Sequence, residues 1–184
     1  MEAIFLIRQL MERYREQKKN VHMIFIDLEK PYDKVTRNVM WWALEKHKIP
    51  TKYITLIKDM YKDAMTFVRT CDGDTTDFPI NIGLQQGSAL SPYLFALVLN
   101  EVTRDIQGEI SWCMLFADDV VLVDESRAGV NRKLEPWKHT LLKGFRLSRT
   151  KTEYMMCDFS ATSHEGGNVS LDGQVVVQMI FFGI

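Results

Sequence analysis

Residues 21–28, VHMIFIDL, constrain this chain more than any other stretch. They are mostly apolar and include branched side chains, the composition of a strand. The apolar residues run on without regular polar alternation, so the strand is expected to be buried on both faces, inside a sheet and away from its edge. A sheet covered on both sides needs helices from elsewhere in the chain. The strand also ends on Asp27, where a lone carboxylate would rarely be tolerated for packing alone.

The flanking sequence offers those helices. Ile4, Leu6, Ile7, Leu10, Met11 and Tyr14 recur at helical spacing, and Asn20 ends the pattern. Residues 37–47 (RNVMWWALEKH) and 51–63 (TKYITLIKDMYKD) predict two more helices, divided by Ile49-Pro50, the second capped by Thr51. TFVRTC and TDFPINI predict a hairpin around Asp72-Gly73. YLFALVLNEVTRDIQ predicts a largely buried helix, and WCMLF and VVLV a second hairpin with an acidic turn. Residues 126–143 predict a surface helix whose continuity Pro136 opposes. FRLS and EYMMCDF are expected as short strands, and VSLDGQVVV as strands about an Asp172-Gly173 turn. Strands separated by paired helices give an α+β layer arrangement. The 184 residues suffice for one domain with a sizeable core.

The formal net charge is −1, and no basic stripe of the kind that grips nucleic acid stands out along the sequence. Cys71, Cys113 and Cys157 form neither a metal-ligand spacing nor a disulfide framework, which predicts a reducing, intracellular setting with nucleus or cytoplasm left open. His22, His47, His139 and His164 are scattered without ligand spacing. No apolar stretch reaches membrane-spanning length, so no membrane partner is expected. Trp41 and Trp42 are adjacent, so one helix face can bury only one of them; the other is a candidate for contact with nucleic acid or a partner.

Composition does not account for Asp118 and Asp119, two adjacent carboxylates inside an apolar hairpin. Held close, they repel each other unless they are exposed or share a cation. A solvent-facing turn is one reading of them. A hairpin lying beside residues 21–28 would instead bring Asp118 opposite Asp27 across a short gap. Hard cations such as Mg²⁺ take oxygen ligands from one or two carboxylates plus substrate phosphates. Two such ions roughly 3.5–4 Å apart serve in-line phosphoryl transfer.

These blocks, in this order, resemble the reverse transcriptase domain of non-LTR, LINE-like retrotransposons of the plant type, over nearly the whole chain. FIDLEKPYD resembles the block carrying the first metal-binding aspartate, which implies that role for Asp27 and a deoxynucleotide-selecting role for Tyr32 beneath the sugar. GLQQGSALSP resembles the loop and helix start that position template and nucleotide, through Gln86, Gly87, Ser91 and Pro92. FADD resembles the metal-binding hairpin, with Asp118 as the second main ligand, Asp119 beside it and Ala117 touching the primer-terminal nucleotide. GFRLSRTKTEYM implies a charge-neutralising or proton-donating Lys151, set up by a turn at Gly144, and IFFGI resembles the start of the primer grip at Phe182 and Gly183.

The resemblance implies a polymerase palm, an antiparallel sheet backed by helices, with fingers and thumb largely missing. Residues 1–184 then form a partial reverse transcriptase domain: 1–20 a leading helix, 21–160 the palm core, and 161–184 a linker and the start of the primer-grip hairpin. The implied reaction is two-metal transfer from dNTPs to a DNA primer 3′-hydroxyl on an RNA template, with two Mg²⁺ ions or Mn²⁺ in their place. Nothing in the chain resembles the endonuclease of such elements. Pro31 stands where the family has alanine, costing about 3 kcal/mol inside a helix and nothing in a first turn. Two other readings stay open: a catalytically inactive, truncated retrotransposon remnant, and a non-enzymatic protein-interaction module.

Overall fold

The computed structural model describes residues 2–107, 113–116, 119–142, 145–148, 150–159, 168–171 and 173–182. In chain order, helix α1 (Glu2–Glu16) leads to strand β1 (Val21–Asp27), followed by helices α2 (Pro31–Lys34), α3 (Arg37–Lys46) and α4 (Thr51–Tyr61). Four two-residue strands come next: β2 (Met65–Thr66), β3 (Arg69–Thr70), β4 (Gly73–Asp74) and β5 (Phe78–Pro79). Helix α5 (Ser91–Gln107), strands β6 (Cys113–Phe116) and β7 (Asp119–Asp124), and helix α6 (Arg127–Leu141) continue the chain. It then forms β8 (Glu153–Asp158), β9 (Ser170–Leu171), β10 (Gln174–Val175) and β11 (Val177–Phe182). The chain divides into two compact units, residues 1–29 with 103–184, and residues 30–102.

The first unit is organised around β1. The strand order is β11-β8-β1-β7-β6, so β1 lies in the centre with antiparallel neighbours on both sides. Its alternate residues serve two cores. Val21 and Met23 share one face with Val121, Val123 and Cys157, where Leu10 and Tyr14 of α1 cover them. On the other face, Ile24, Ile26, Val120, Leu122 and Tyr154 are fully buried, and α6 packs there. Each such side chain contributes roughly 1.5–3 kcal/mol on leaving water, which is why both faces need a cover. The second face also holds a polar group: His22 Nδ1 lies 2.5 Å from Tyr154 Oη, to which Arg127 Nε donates at 3.3 Å. At the edge of the sheet, β11 runs parallel to β8, the one parallel pairing among the described strands.

Where the chain leaves β7, Asp124 fixes the start of α6. Its Oδ1 accepts from Ser126 N at 3.0 Å and Ser126 Oγ at 3.2 Å, and its Oδ2 lies 2.9 Å from Lys133 Nζ. Ser126 in turn caps the helix by accepting from Gly129 N at 3.0 Å. A Cβ at Gly129 would sit 2.0 Å from Asp124 Oδ1, so only glycine admits the carboxylate. α6 continues through Pro136 unbroken. Its buried Val130, Leu134, Trp137 and Leu141 hold it against the sheet, which offsets the lost helical hydrogen bond.

The second unit contains the α3 and α4 pair, the short hairpins and the first part of α5. β2 pairs with β5 and β3 with β4, a hairpin whose tip is Cys71-Asp72. Thr36 caps α3 by accepting from Val39 N at 3.4 Å. Two expectations need correction, and one open question is decided. The N-cap of α4 is Pro50, with Thr51 its first helical residue and no side-chain cap, because proline already presets the entry angle. FRLS is no strand: only Leu147 bridges to Leu28, since β1 has ended by then. Pro31 occupies the first turn of α2, after Lys30 in the left-handed region at φ 44°, so its missing N–H removes no helical bond.

Burial pushes the Cys113 thiol up to about 12, although Lys133 pulls the other way, and burial pushes Cys157 up to about 11. Burial also raises the Asp124 carboxyl, but hydrogen bonds from Lys133 and Ser126 outweigh it and leave the group below its ordinary 3.8. A carboxyl depressed by folding contributes stability above its unfolded value and loses it as pH falls through the folded one. The urea-unfolding free energy of the wild type should therefore fall steadily as pH drops below about 4, while Asp124→Asn should start less stable and show a shallower acid limb. An identical acid slope in both chains would mean that Asp124 is not the linked group.

Candidate active site

The carboxylate end of β1 is assembled by three segments of the first unit. Antiparallel register places Asp27 directly opposite Asp119, the first residue of β7, where the sequence alone suggests Asp118. The strand register, fixed by the pairs from His22 with Asp124 onward, decides the partner. Directly opposed residues on antiparallel strands point to the same face, with Cβ atoms about 4.5–5.5 Å apart, and like charges placed so repel. The counter-charge is Lys151, whose Nζ lies 3.8 Å from Asp27 Oδ2. The Asp27 side chain is 22% exposed and that of Lys151 72%, so the group opens to solvent instead of being sealed in the core.

Backbone bonding explains why Lys151 arrives there. Glu29 N donates to Arg146 O at 2.8 Å, and Ser148 N donates to Asp27 O at 2.8 Å, so residues 146–148 lie along the end of β1. The following turn closes on Ser148 O, which accepts from Thr152 N at 3.0 Å and from Thr152 Oγ1 at 2.7 Å. Ser148 and Thr152 are both buried, and Lys151 projects from the turn between them. Sequence reasoning passed over these two positioning residues. The signal was a serine and a threonine flanking a short basic turn.

The arrangement suits a hard cation. Two carboxylates on one face, open to solvent, match what Mg²⁺ takes from protein, with phosphate oxygens and water completing its shell. Among the described residues no three His, Cys, Asp or Glu side chains converge on one point. The carboxylates described at this end of the sheet are Asp27 and Asp119; Asp118 and Ala117 lie outside the described residues, as do Gly144 and Gly183. Phe182 is the last residue of β11.

Tyr32, Gln86, Gly87, Ser91 and Pro92 belong to the second unit. Tyr32, in α2, stacks on Phe95 with ring centroids 4.7 Å apart. Its carbonyl accepts from Leu84 N at 2.7 Å, which ties the 83–90 loop to α2. Gln86 Nε2 donates to Asp33 Oδ1 at 2.8 Å, so Gln86 is held beside Tyr32's neighbour in sequence. Gly87 sits at φ +83°, in the left-handed region that glycine adopts without strain. The buried Ser91 donates through Oγ to Gln85 O, closing the loop onto α5, and Pro92 is exposed in the helix's first turn. Asp33, Arg37, Tyr61, Gln85 and Gln86 border a cleft of about 580 Å³ within this unit.

A family model described as reverse transcriptase (RNA-dependent DNA polymerase) matches residues 2–179. The Pol polyprotein of the type-1 retrotransposable element R2 from Nasonia vitripennis is 26% identical over 141 residues, covering 72% of this chain and 14% of that protein. Its counterpart from Popillia japonica is 31% identical over 123 residues, covering 61% of this chain and 17% of that protein. This chain thus spans under a fifth of either polyprotein's length. In three dimensions, telomerase from Candida tropicalis matches with a TM-score of 0.65 at 14% identity, over 95% of this chain and 31% of that one. The shared fold is the polymerase palm.

The Thr152 hydroxyl supports the turn that carries Lys151, and a neutral buried hydrogen bond contributes about 0.5–1.5 kcal/mol. Thr152→Val, which keeps the shape, should lower the urea-unfolding free energy by about 1 kcal/mol, and Thr152→Ser should retain most of it. Equal stability of Thr152→Val and wild type would remove the hydroxyl from this account.

Proposed function

We propose, on the premise that the chain belongs to the reverse transcriptase (RNA-dependent DNA polymerase) family, that it carries the catalytic carboxylates of an RNA-directed DNA polymerase from a non-LTR retrotransposon. The observation that carries this reading is the Asp27 and Asp119 pair at the end of a strand otherwise buried on both faces, with Lys151 beside it. The finer affiliation with plant-type LINE elements is supported by the sequence blocks alone, whereas the two polyproteins matched above come from insects.

The reaction joins a primer 3′-oxygen to the α-phosphorus of a dNTP and breaks the bond to pyrophosphate. Asp27 and Asp119, with Asp118 next in sequence, would hold two Mg²⁺ ions, or Mn²⁺. Bound there, the ions supply charge neutralisation at the attacking and leaving oxygens. The residues' own work is binding and orientation. The carboxylates fix where positive charge can sit, and Lys151 offers an ammonium to the triphosphate and a proton to the departing pyrophosphate. Tyr32, braced by Phe95, supplies a rigid ring under the sugar of the incoming nucleotide, where a 2′-hydroxyl would collide. Gln86 and Gly87 position template and nucleotide, Ser91 and Pro92 fix the loop's junction with α5, and Ala117, next to Asp118 in sequence, would touch the primer-terminal nucleotide. Phe182 and Gly183 begin the primer grip.

Two measurements test this reading. The purified chain, given a DNA primer on an RNA template with dNTPs and Mg²⁺, should extend the primer, and Asp118→Asn, Asp119→Asn should abolish extension. No extension from a folded chain would favour the inactive remnant. Separately, without substrate, Mg²⁺ at about ten times its dissociation constant should stabilise the wild type by about 1.4 kcal/mol in thermal unfolding. Asp27→Asn, Asp119→Asn should lose that increment; an equal shift in both chains would rule out the pair as the metal site.

A further inference from the structure

The near-neutral net charge hides a locally basic helical segment. Residues 30–62 contain eight lysine or arginine residues against three acidic ones, although the whole chain carries −1. This basic stretch folds into α2, α3 and α4, all within the second unit. The rest of that unit, residues 63–102, carries one arginine against five acidic residues, so the basic charge belongs to these helices. A local basic cluster of this kind can meet the phosphates of a polyanion.

Aromatic rings are interleaved with that charge. Arg37 and Trp41 of α3 face Lys58, Asp59 and Tyr61 of α4 and the adjoining Lys62 across an open groove of about 320 Å³. Trp41 and Tyr61 meet edge to face, with centroids 6.2 Å apart and planes at 70°. Each ring carries a cation: the Arg37 guanidinium lies 4.1 Å from the Tyr61 centroid, and Lys58 Nζ lies 5.5 Å from that of Trp41. Among the described residues no carboxylate comes within ion-pairing distance of Lys58 or Lys62. The groove therefore combines two aromatic rings with two lysines that are not ion-paired, and Asp59 is the one carboxylate among its lining residues.

We propose that this groove binds a nucleotide of single-stranded RNA, its base against Trp41 and Tyr61 and its flanking phosphates on Lys58 and Lys62. Aromatic platforms beside tracking cations are how proteins hold single strands without reading their sequence. A duplex offers no unstacked base to such walls. An acidic peptide would satisfy the lysines and leave the rings without a matching face. None of these residues takes part in the nucleotidyl-transfer chemistry described above. The choice of RNA over DNA rests on the polymerase reading; the groove's grip on a single strand does not.

Fluorescence anisotropy with the full chain and a labelled oligouridine of about twelve nucleotides tests the assignment. Lys58→Gln, Lys62→Gln replaces exposed charges, and its circular dichroism should match wild type. Its affinity should fall roughly tenfold or more, and the slope of log K against log salt should lessen by roughly 1.4, the contribution of two single-strand phosphates. A strand of the same length without bases should bind the wild type roughly tenfold more weakly, because it cannot stack. Unchanged affinity and slope in the lysine variant overturn the proposal, as does tight binding of the abasic strand. Tighter binding of the corresponding DNA strand overturns the assignment to RNA. Lysine-dependent binding without primer extension would defeat the polymerase reading alone, and extension without it would defeat this one alone.

Discussion

β1 can exist only as a strand covered twice, and most of the first unit follows from that. Its two faces take α1 and α6, and its two edges take β7 and β8. Along its length neither side chain nor backbone has room for an unpaired charge. At its end the enclosure lapses, and Asp27 meets Asp119 across the ladder. Two like charges in that position are unfavourable without a cation nearby. The chain supplies one in Lys151, carried by a turn whose backbone is bonded to the very residue it serves. Core formation and acid placement are thus consequences of a single element.

Much of this was readable from residues alone, because it rests on local pattern. β1, α1, α5 and the hairpin of β6 and β7 announce themselves through apolar runs and helical spacing. Asp27 stood out because packing cannot explain it. The setting of Lys151 was not legible in the same way. It depends on Ser148 and Thr152 being buried, and both residue types are ordinarily exposed. FRLS misled because its alternation suits a strand, while its only partner lay beyond the end of β1. Net charge misled differently: a sum of −1 averages away a basic helical segment.

The buried group of His22, Tyr154 and Arg127 illustrates another limit. Each residue type is unremarkable in sequence, yet together they form a polar group between β1, β8 and α6. Apolar strands tolerate slippage by two residues, since every side chain keeps its face. A phenol hydrogen-bonded to one imidazole and one guanidinium does not, because a slip would leave buried polar atoms unmatched. The group therefore specifies the register of β8 against β1, and through Ser148 and Thr152 the reach of Lys151.

Lys30 and Pro31 form a small local conflict. Proline ordinarily drives the residue before it toward extended backbone, yet Lys30 sits in the left-handed region at φ 44°. That conformation costs on the order of 1 kcal/mol for a residue with a side chain. The same ring restricts the unfolded chain, which returns roughly 0.4–1 kcal/mol. With trans fixed at this bond in the fold, unfolded chains that hold cis there must isomerise to reach the native state, over tens of seconds or more.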